Sequence, residues 1–219
     1  MSRIRACLFD LDGVLVDTAR YHYLAWKRLA HELGFDFSRR DNERLKGVSR
    51  DRSLEILLEI GRLSVDAAAK RELAEKKNRW YVESISHMDE TEVLPGGRPF
   101  LEELRRAGIR TALGSASKNA MTILRRTQLV DLFDAIVDGT KTARAKPDPE
   151  VFLLGARELQ VEPQHCAVFE DAAAGIEAAL RARMYCVGVG SREALNQAQL
   201  VVGSLAEMTV DRLQVFGSL

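Results

Sequence analysis

The sequence predicts an α/β protein, a doubly wound parallel sheet with a Rossmann-like core and an all-helical cap inserted after the first strand. Three observations carry this expectation. A short apolar run beginning at Cys7 climbs into Asp10 and is followed by Asp12 and Gly13, the signature of a buried parallel strand that ends in a polar loop. The next stretch, about seventy residues, has helical periodicity and no strand-like run. From Leu94-Pro95-Gly96-Gly97 onward, short apolar runs alternate with helical segments, as they do in strand–helix–strand units.

Side chains two apart on an extended backbone face the same way, so Asp10 and Asp12 should point together beyond the end of the first strand. An Asp-Gly turn would account for one of these carboxylates but not for both. Two like charges that close repel, and a divalent cation between them is the usual remedy. The helical block then begins. Tyr21, Leu24, Ala25, Leu29 and Leu33 are spaced as one face of a helix over 18–33, with Gly34 as its stop. The pattern continues over 54–60 and 65–85, with Gly61 and Ser64 between. The expected division is a cap of residues 15–94 and a core of residues 1–14 and 95–219, the Pro-Gly-Gly serving as a hinge boundary. Within the core, strands are predicted over 109–114, 135–137, 166–169, 185–189 and 200–202. Helices are predicted over 119–127, 149–159 and 172–181. In such a sheet the ligand crevice lies at the carboxyl ends of the strands, and an insertion after the first strand sits over it as a lid.

Composition narrows the partners. With 219 residues and 46% hydrophobic residues, the chain can bury a real core. Thirty-two basic residues balance 32 acidic ones, so no nucleic-acid or membrane partner is expected and any phosphate site must be local. The first strand starts within a few residues of Met1, without a charged leader or a membrane-length apolar run. Cys7, Cys166 and Cys186 sit in apolar runs without metal-ligand spacing, which favours a reducing, cytoplasmic setting.

Every later strand end carries polar chemistry. The strand over 109–114 delivers Ser115-Ala116-Ser117-Lys118-Asn119 to a helix start, where N–H groups, hydroxyls and a cation could cradle a phosphate or the serines could simply cap the helix. Lys146 precedes Pro147 and a helix, on a backbone stiffer than an ordinary surface loop. Glu170 and Asp171 end another strand. They are either first-turn charges favoured by a helix dipole or the oxygen donors a cation shared with Asp10 would need.

The order Asp-x-Asp, Ser, Lys, Glu-Asp, each at a strand end, resembles the haloacid dehalogenase superfamily of phosphoryl-transfer enzymes, and the match spans the whole core. The resemblance implies that Asp10 is the nucleophile, Asp12 the general acid/base, and Ser115 and Lys146 the phosphate holders. It implies Mg²⁺ bound by Asp10, Asp12 through its backbone carbonyl and Asp171, with Glu170 close by. In the cap, Asp17-Thr18, His22, Trp26, Leu45-Lys46-Gly47-Val48-Ser49-Arg50 and Lys76-Lys77-Asn78 are similar to the β-phosphoglucomutase family. That family interconverts β-glucose 1-phosphate and glucose 6-phosphate through a bisphosphate. The likeness implies a substrate site of Thr18, His22, Trp26, Lys46, Gly47, Val48, Ser49, Arg50 and Lys77 on the cap, with Ser115, Ala116, Ser117, Lys118 and Asn119 on the core. Arg50 would grip the distal phosphate. Ala172, Ala145 and Gly114 depart from the family pattern without removing a charge. The expectation is a Mg²⁺-dependent phosphosugar mutase acting as a monomer on a small-molecule phosphosugar; a sugar-phosphate phosphatase on the same fold is the alternative.

Overall fold

All four residues of the first strand, β1 (Ala6–Phe9), are buried, because β1 lies between β2 (Arg110–Gly114) and β4 (Cys166–Glu170) in a parallel sheet. A computed structural model of the chain describes residues 4–45 and 48–218. With β3 (Ala135–Val137), β5 (Tyr185–Val189) and β6 (Leu200–Val202), the sheet has the order β3-β2-β1-β4-β5-β6, parallel throughout. A strand buried on both faces reads as continuous apolar sequence, which is why the central strands were legible from composition alone.

Alternate residues of each strand feed two cores. Phe9, Leu113 and Phe169 face α5 (Gly97–Arg106), α6 (Ala120–Arg126) and α9 (Val210–Phe216), while Leu8, Ala112 and Val168 face α7 (Glu150–Glu158) and α8 (Ala173–Arg181). Phe9 stacks on Phe169 with ring centroids 4.7 Å apart, and Phe100 of α5 meets Phe169 edge-on at 5.4 Å. Each such fully buried ring contributes about 1.5–3 kcal/mol through removal from water.

Helices α5 and α9 were not legible in the sequence. In α5 the Pro95-Gly96-Gly97 run and Pro99 look like breakers, but Pro99 falls in the first turn, where no intrahelical N–H bond is lost, and Phe100, Leu101 and Leu104 are buried. The seven-residue α9 is too short for a periodic signal and is anchored by Leu213 and Phe216.

Between β1 and β2 lie α1 (Ala19–Glu32), α2 (Arg39–Glu43), α3 (Arg50–Gly61) and α4 (Ala67–Ile85), an all-helical cap with its own core of Trp26, Leu29, Phe37, Leu54 and Leu57. The short α2 was missed by periodicity and is made by a capping box, in which Ser38 and Asp41 satisfy each other's backbone N–H. Helix α3 starts four residues before its expected start at Leu54, because the Ser49 side chain accepts the Arg52 N–H at 3.3 Å and so caps it. The two segments joining cap to core run side by side, with Val16 bridged to Val93 and the Leu94 N–H donating to the Leu15 carbonyl at 2.9 Å.

Candidate active site

The strand order fixes where chemistry can happen. From β1 the chain steps outward through β2 and β3, then returns to β4 on the other side, so the crevice at the sheet's switch point opens beyond the carboxyl end of β1. Asp10 follows that end directly. Phe9 is in register with Leu113 and with Phe169, which sets Asp10 level with the ends of β2 and β4, and the Asp10 N–H donates to the Phe169 carbonyl at 3.0 Å.

Lys146 comes in on the loop between β3 and α7, with Nζ 2.5 Å from Asp10 Oδ1 and 2.6 Å from Glu170 Oε1. It is 5% exposed and Glu170 is 1% exposed. Burial opposes the Lys146 charge, but the carboxylates of Asp10 and Glu170 outweigh it and hold its pKa above the ordinary value. Glu170 was expected among the metal ligands. Here Oε1 is taken by Lys146, and Oε2 accepts the Ala172 N–H at 2.9 Å. Its carboxylate lies so close to Gly175 that any Cβ there would collide with it. Glu170 is therefore the buried counter-ion that aims Lys146 at Asp10.

Asp12 stands two residues on. Its Oδ1 accepts the Thr18 hydroxyl, and Thr18 itself is buried at the start of α1. Burial first, and the nearby charge of Asp10 second, push the Asp12 carboxyl up to about 6. On the far side Asp171 presses against the loop. Gly13, at φ +86, leaves space that a Cβ would need, and that Cβ would collide with Asp171 Oδ2. Asp10, Asp12 and Asp171 thus supply hard oxygen donors around one loop, a donor set that suits Mg²⁺. Among the described residues no three His, Cys, Asp or Glu side chains are gathered to enclose a metal by themselves, so backbone or water oxygens would have to complete the sphere.

Ser115 is buried just past β2. Its hydroxyl accepts the Ser117 N–H at 3.1 Å, and the Ser117 hydroxyl accepts the Asn119 N–H at 3.2 Å. The two serines therefore shape the loop before α6, and Ala116 to Asn119 form its face toward the crevice.

A cavity of about 840 Å³ separates core from cap. Asp10, Asp12, Lys146, Asp171, Ala116, Ser117, Lys118 and Asn119 line it from below; Thr18, His22, Trp26, Val48, Ser49, Arg50 and Lys77 line it from above. Ser115 and Glu170 sit behind this lining. Lys46 and Gly47, also expected at the site, lie outside the described residues. Lys77 is 3% exposed, with Nζ 2.9 Å from His22 Nδ1 and within 4.5 Å of the Trp26 ring centroid and 4.7 Å of that of Tyr81. Burial, with help from the Arg50 charge, brings Lys77 down to about 7. Burial and the charges of Lys77 and Arg50 likewise lower His22 well below its ordinary value, so it is neutral. Cap and core meet directly where Asn119 Nδ2 donates to Asn78 Oδ1 at 3.0 Å.

The sequence model of the haloacid dehalogenase-like hydrolases matches residues 4–183. The chain belongs to this family. It is 45% identical over 212 residues to a β-phosphoglucomutase of Bacillus subtilis, covering 96% of this chain and 94% of that one. It superposes on the crystal structure of a β-phosphoglucomutase from Clostridium difficile with a TM-score of 0.94 at 43% identity, over 98% of this chain and 97% of the other. A phosphorylated carbohydrates phosphatase of Thermotoga maritima is 34% identical, covering 80% of each chain.

Within this haloacid dehalogenase-like frame, Asn78, named in the Lys76-Lys77-Asn78 run without a place in the site, lines the cavity. Tyr81, four positions after Lys77 on α4 and stacked on His22, escaped the sequence reading, though a search of the helical turn around Lys77 would have found it. Asn42 lines the cavity, is buried, and has no partner for Oδ1. No sequence signal distinguishes it from an ordinary helix asparagine.

Proposed function

We propose that this chain is a Mg²⁺-dependent phosphosugar mutase. It interconverts β-D-glucose 1-phosphate and glucose 6-phosphate through a phosphorylated Asp10 and a glucose 1,6-bisphosphate intermediate. The observation that carries the reading is a single cavity with a nucleophilic pole on the core, Asp10 with Lys146, and a cationic pole on the cap, Arg50. The similarity to β-phosphoglucomutases over nearly the whole chain supports the substrate.

In the reaction Asp10 attacks phosphorus while Lys146 and the loop after Ser115 hold the phosphoryl oxygens. Asp12, with its carboxyl near 6, protonates the departing sugar oxygen and later takes the proton from the accepting hydroxyl, as suits a group titrating close to working pH. Asp10, Asp171 and the Asp12 carbonyl would hold Mg²⁺, which would supply further neutralisation of phosphoryl charge. Removing the cation with chelator should therefore stop formation of the Asp10 phosphoenzyme, with activity returning on Mg²⁺ addition; turnover unchanged in excess chelator would sink the metal assignment.

We take residues 15–94 as the lid and 1–14 with 95–219 as the base, the paired linker segments serving as hinge. We take the chain to act as a monomer. No helix among the described residues is long and apolar enough to cross a membrane, and a cytoplasmic sugar-phosphate pool fits the substrate.

Arg50 tests mutase against phosphatase. A mutase must grip the distal phosphate twice per cycle, so Arg50→Ala should lower mutase kcat/KM by about 100-fold or more, through loss of a charge-assisted contact that aligns the acceptor. Phosphorylation of Asp10 by acetyl phosphate, which never reaches the lid, should persist. Equal loss of both would favour the phosphatase reading suggested by the Thermotoga relative, with water as acceptor.

A further inference from the structure

Asn119 is the residue at which α6 starts, a position where asparagine ordinarily turns its own oxygen back onto the free N–H groups of the helix. Here its side chain makes no such bond. It reaches out of the loop instead, and Nδ2 donates to Oδ1 of Asn78 on α4 at 3.0 Å. The loop's own N–H groups are met by its serines, since the Ser115 hydroxyl accepts from Ser117 and the Ser117 hydroxyl accepts from Asn119. The serines thus free the Asn119 side chain to serve the lid.

Both asparagines line the cavity, Asn78 from the lid and Asn119 from the base, so their bond crosses the gap that opens when the lid lifts. The hinge is the pair of linkers joined at Val16 and Val93, beyond the end of α4 at Ile85. With a rise of about 1.5 Å per residue, Asn78 stands roughly 10 Å up the helix from that end, which gives it a lever arm. A hydrogen bond of 3.0 Å is lost once donor and acceptor part by much more than about half an ångström, so a slight rotation at the hinge breaks it. The same rotation opens to water the cavity that Asp10 lines from below.

We infer that the bond between Asn78 and Asn119 is the latch of the lid, and that Asn78 is a positioning residue that biases phosphorylated Asp10 toward a sugar acceptor and away from water. The inference rests on the mutase reading, in which the phosphoenzyme must outlast the exchange of one sugar phosphate for the next. When water takes the phosphoryl group, its oxygen bonds to phosphorus and the bond from phosphorus to Asp10 breaks, the electron pair returning to the carboxylate. Both hydrogens of the water leave on inorganic phosphate. Transfer to a sugar hydroxyl competes with this step and needs the lid shut, because the cap aligns the acceptor and a closed cavity keeps bulk water out. Removing one neutral hydrogen bond shifts such an open–closed equilibrium by about 2- to 10-fold.

The test follows the fate of the phosphoryl group. Asp10 would be phosphorylated with labelled acetyl phosphate in Mg²⁺, freed of donor, and either left in buffer or chased with β-D-glucose 1-phosphate, with label counted in inorganic phosphate and in bisphosphate. Asn78→Leu, which keeps the volume and the helix but not the acceptor, should hydrolyse the phosphoenzyme about 2- to 10-fold faster than wild type and send correspondingly less label to sugar. Asn119→Ala, which cuts the same bond from the base, should speed hydrolysis by a similar factor, and the double variant by no more than either. Asn78→Asp, whose carboxylate still accepts from Asn119 Nδ2, should hydrolyse within about twofold of wild type, a rescue that a merely structural role for Asn78 would not give. Unchanged hydrolysis in Asn78→Leu and Asn119→Ala would overturn the inference, as would an additive increase in the double variant or an Asn78→Asp enzyme as leaky as Asn78→Leu. A failure of the mutase reading would appear in wild type, as label that goes to water and never to sugar, whereas a failure of this inference appears only in the ratio of variant to wild type.

Discussion

Asp10→Asn protein should fold normally and turn over neither sugar phosphates nor acetyl phosphate, with activity reduced by at least roughly four orders of magnitude. An amide oxygen can still accept from Lys146 Nζ, now 2.5 Å from Oδ1, and Lys146 keeps its buried partner Glu170. The loss of one charge-assisted bond is offset by relief of the repulsion that helps raise Asp12, so the melting temperature should stay close to that of wild type. Chemistry has no such compensation, because the neutral amide does not attack phosphorus and contributes no charge to the cation. The check is a mutase assay together with trapping of phosphoenzyme from a labelled donor. Labelled protein, or turnover above about a thousandth of wild type in a folded preparation, would remove Asp10 from the role of nucleophile.

Lys146→Ala should hurt both stability and catalysis, and the two losses can be separated. Deleting the ammonium leaves the fully buried Glu170 and the nearby Asp10 without their cation, and uncompensated buried charge of this kind costs about 3–5 kcal/mol. Phosphoryl transfer loses the group that holds the transferring oxygens, worth about a hundredfold to a thousandfold. Chemical denaturation measures the first effect and single-turnover kinetics the second. Lys146→Met combined with Glu170→Leu should regain much of the stability, since apolar pairs of similar volume often replace buried ion pairs without penalty, yet it should regain none of the rate. If the double replacement restored turnover, Lys146 would be only a structural counter-ion.

How much of this was readable beforehand can be judged residue by residue. Asp10 and Asp12 were legible because they stand two apart after a buried strand, where local geometry alone forces them to one side. Lys146 was a weak signal in isolation, a lysine before proline, and became informative only in order with the other strand ends. Helices α2 and α9 were missed because five and seven residues are too few for a period to show, and their stability comes from caps and anchors made elsewhere. Trp26 was read as lining the sugar. It does line the cavity, but it is 2% exposed and is equally a member of the cap's core, so both roles fall on one ring.

By itself the sequence determined the sheet, the inserted cap and the identity of the polar residue at each strand end, because each depends on spacing within a few residues. Only the tertiary structure decided which of those groups meet. Lys146 reaches Asp10 across 136 positions and Glu170 across 24, and this meeting makes Glu170 the buried partner of a lysine. The Asn78 bond to Asn119 likewise exists only with the cap folded over the core, and the seat of Tyr81 against His22 and Lys77 only with α1 packed on α4. The reason is physical: a pattern along the chain fixes which way a side chain points from its own element, whereas partner, burial and proton affinity are set by whatever distant element packs against it.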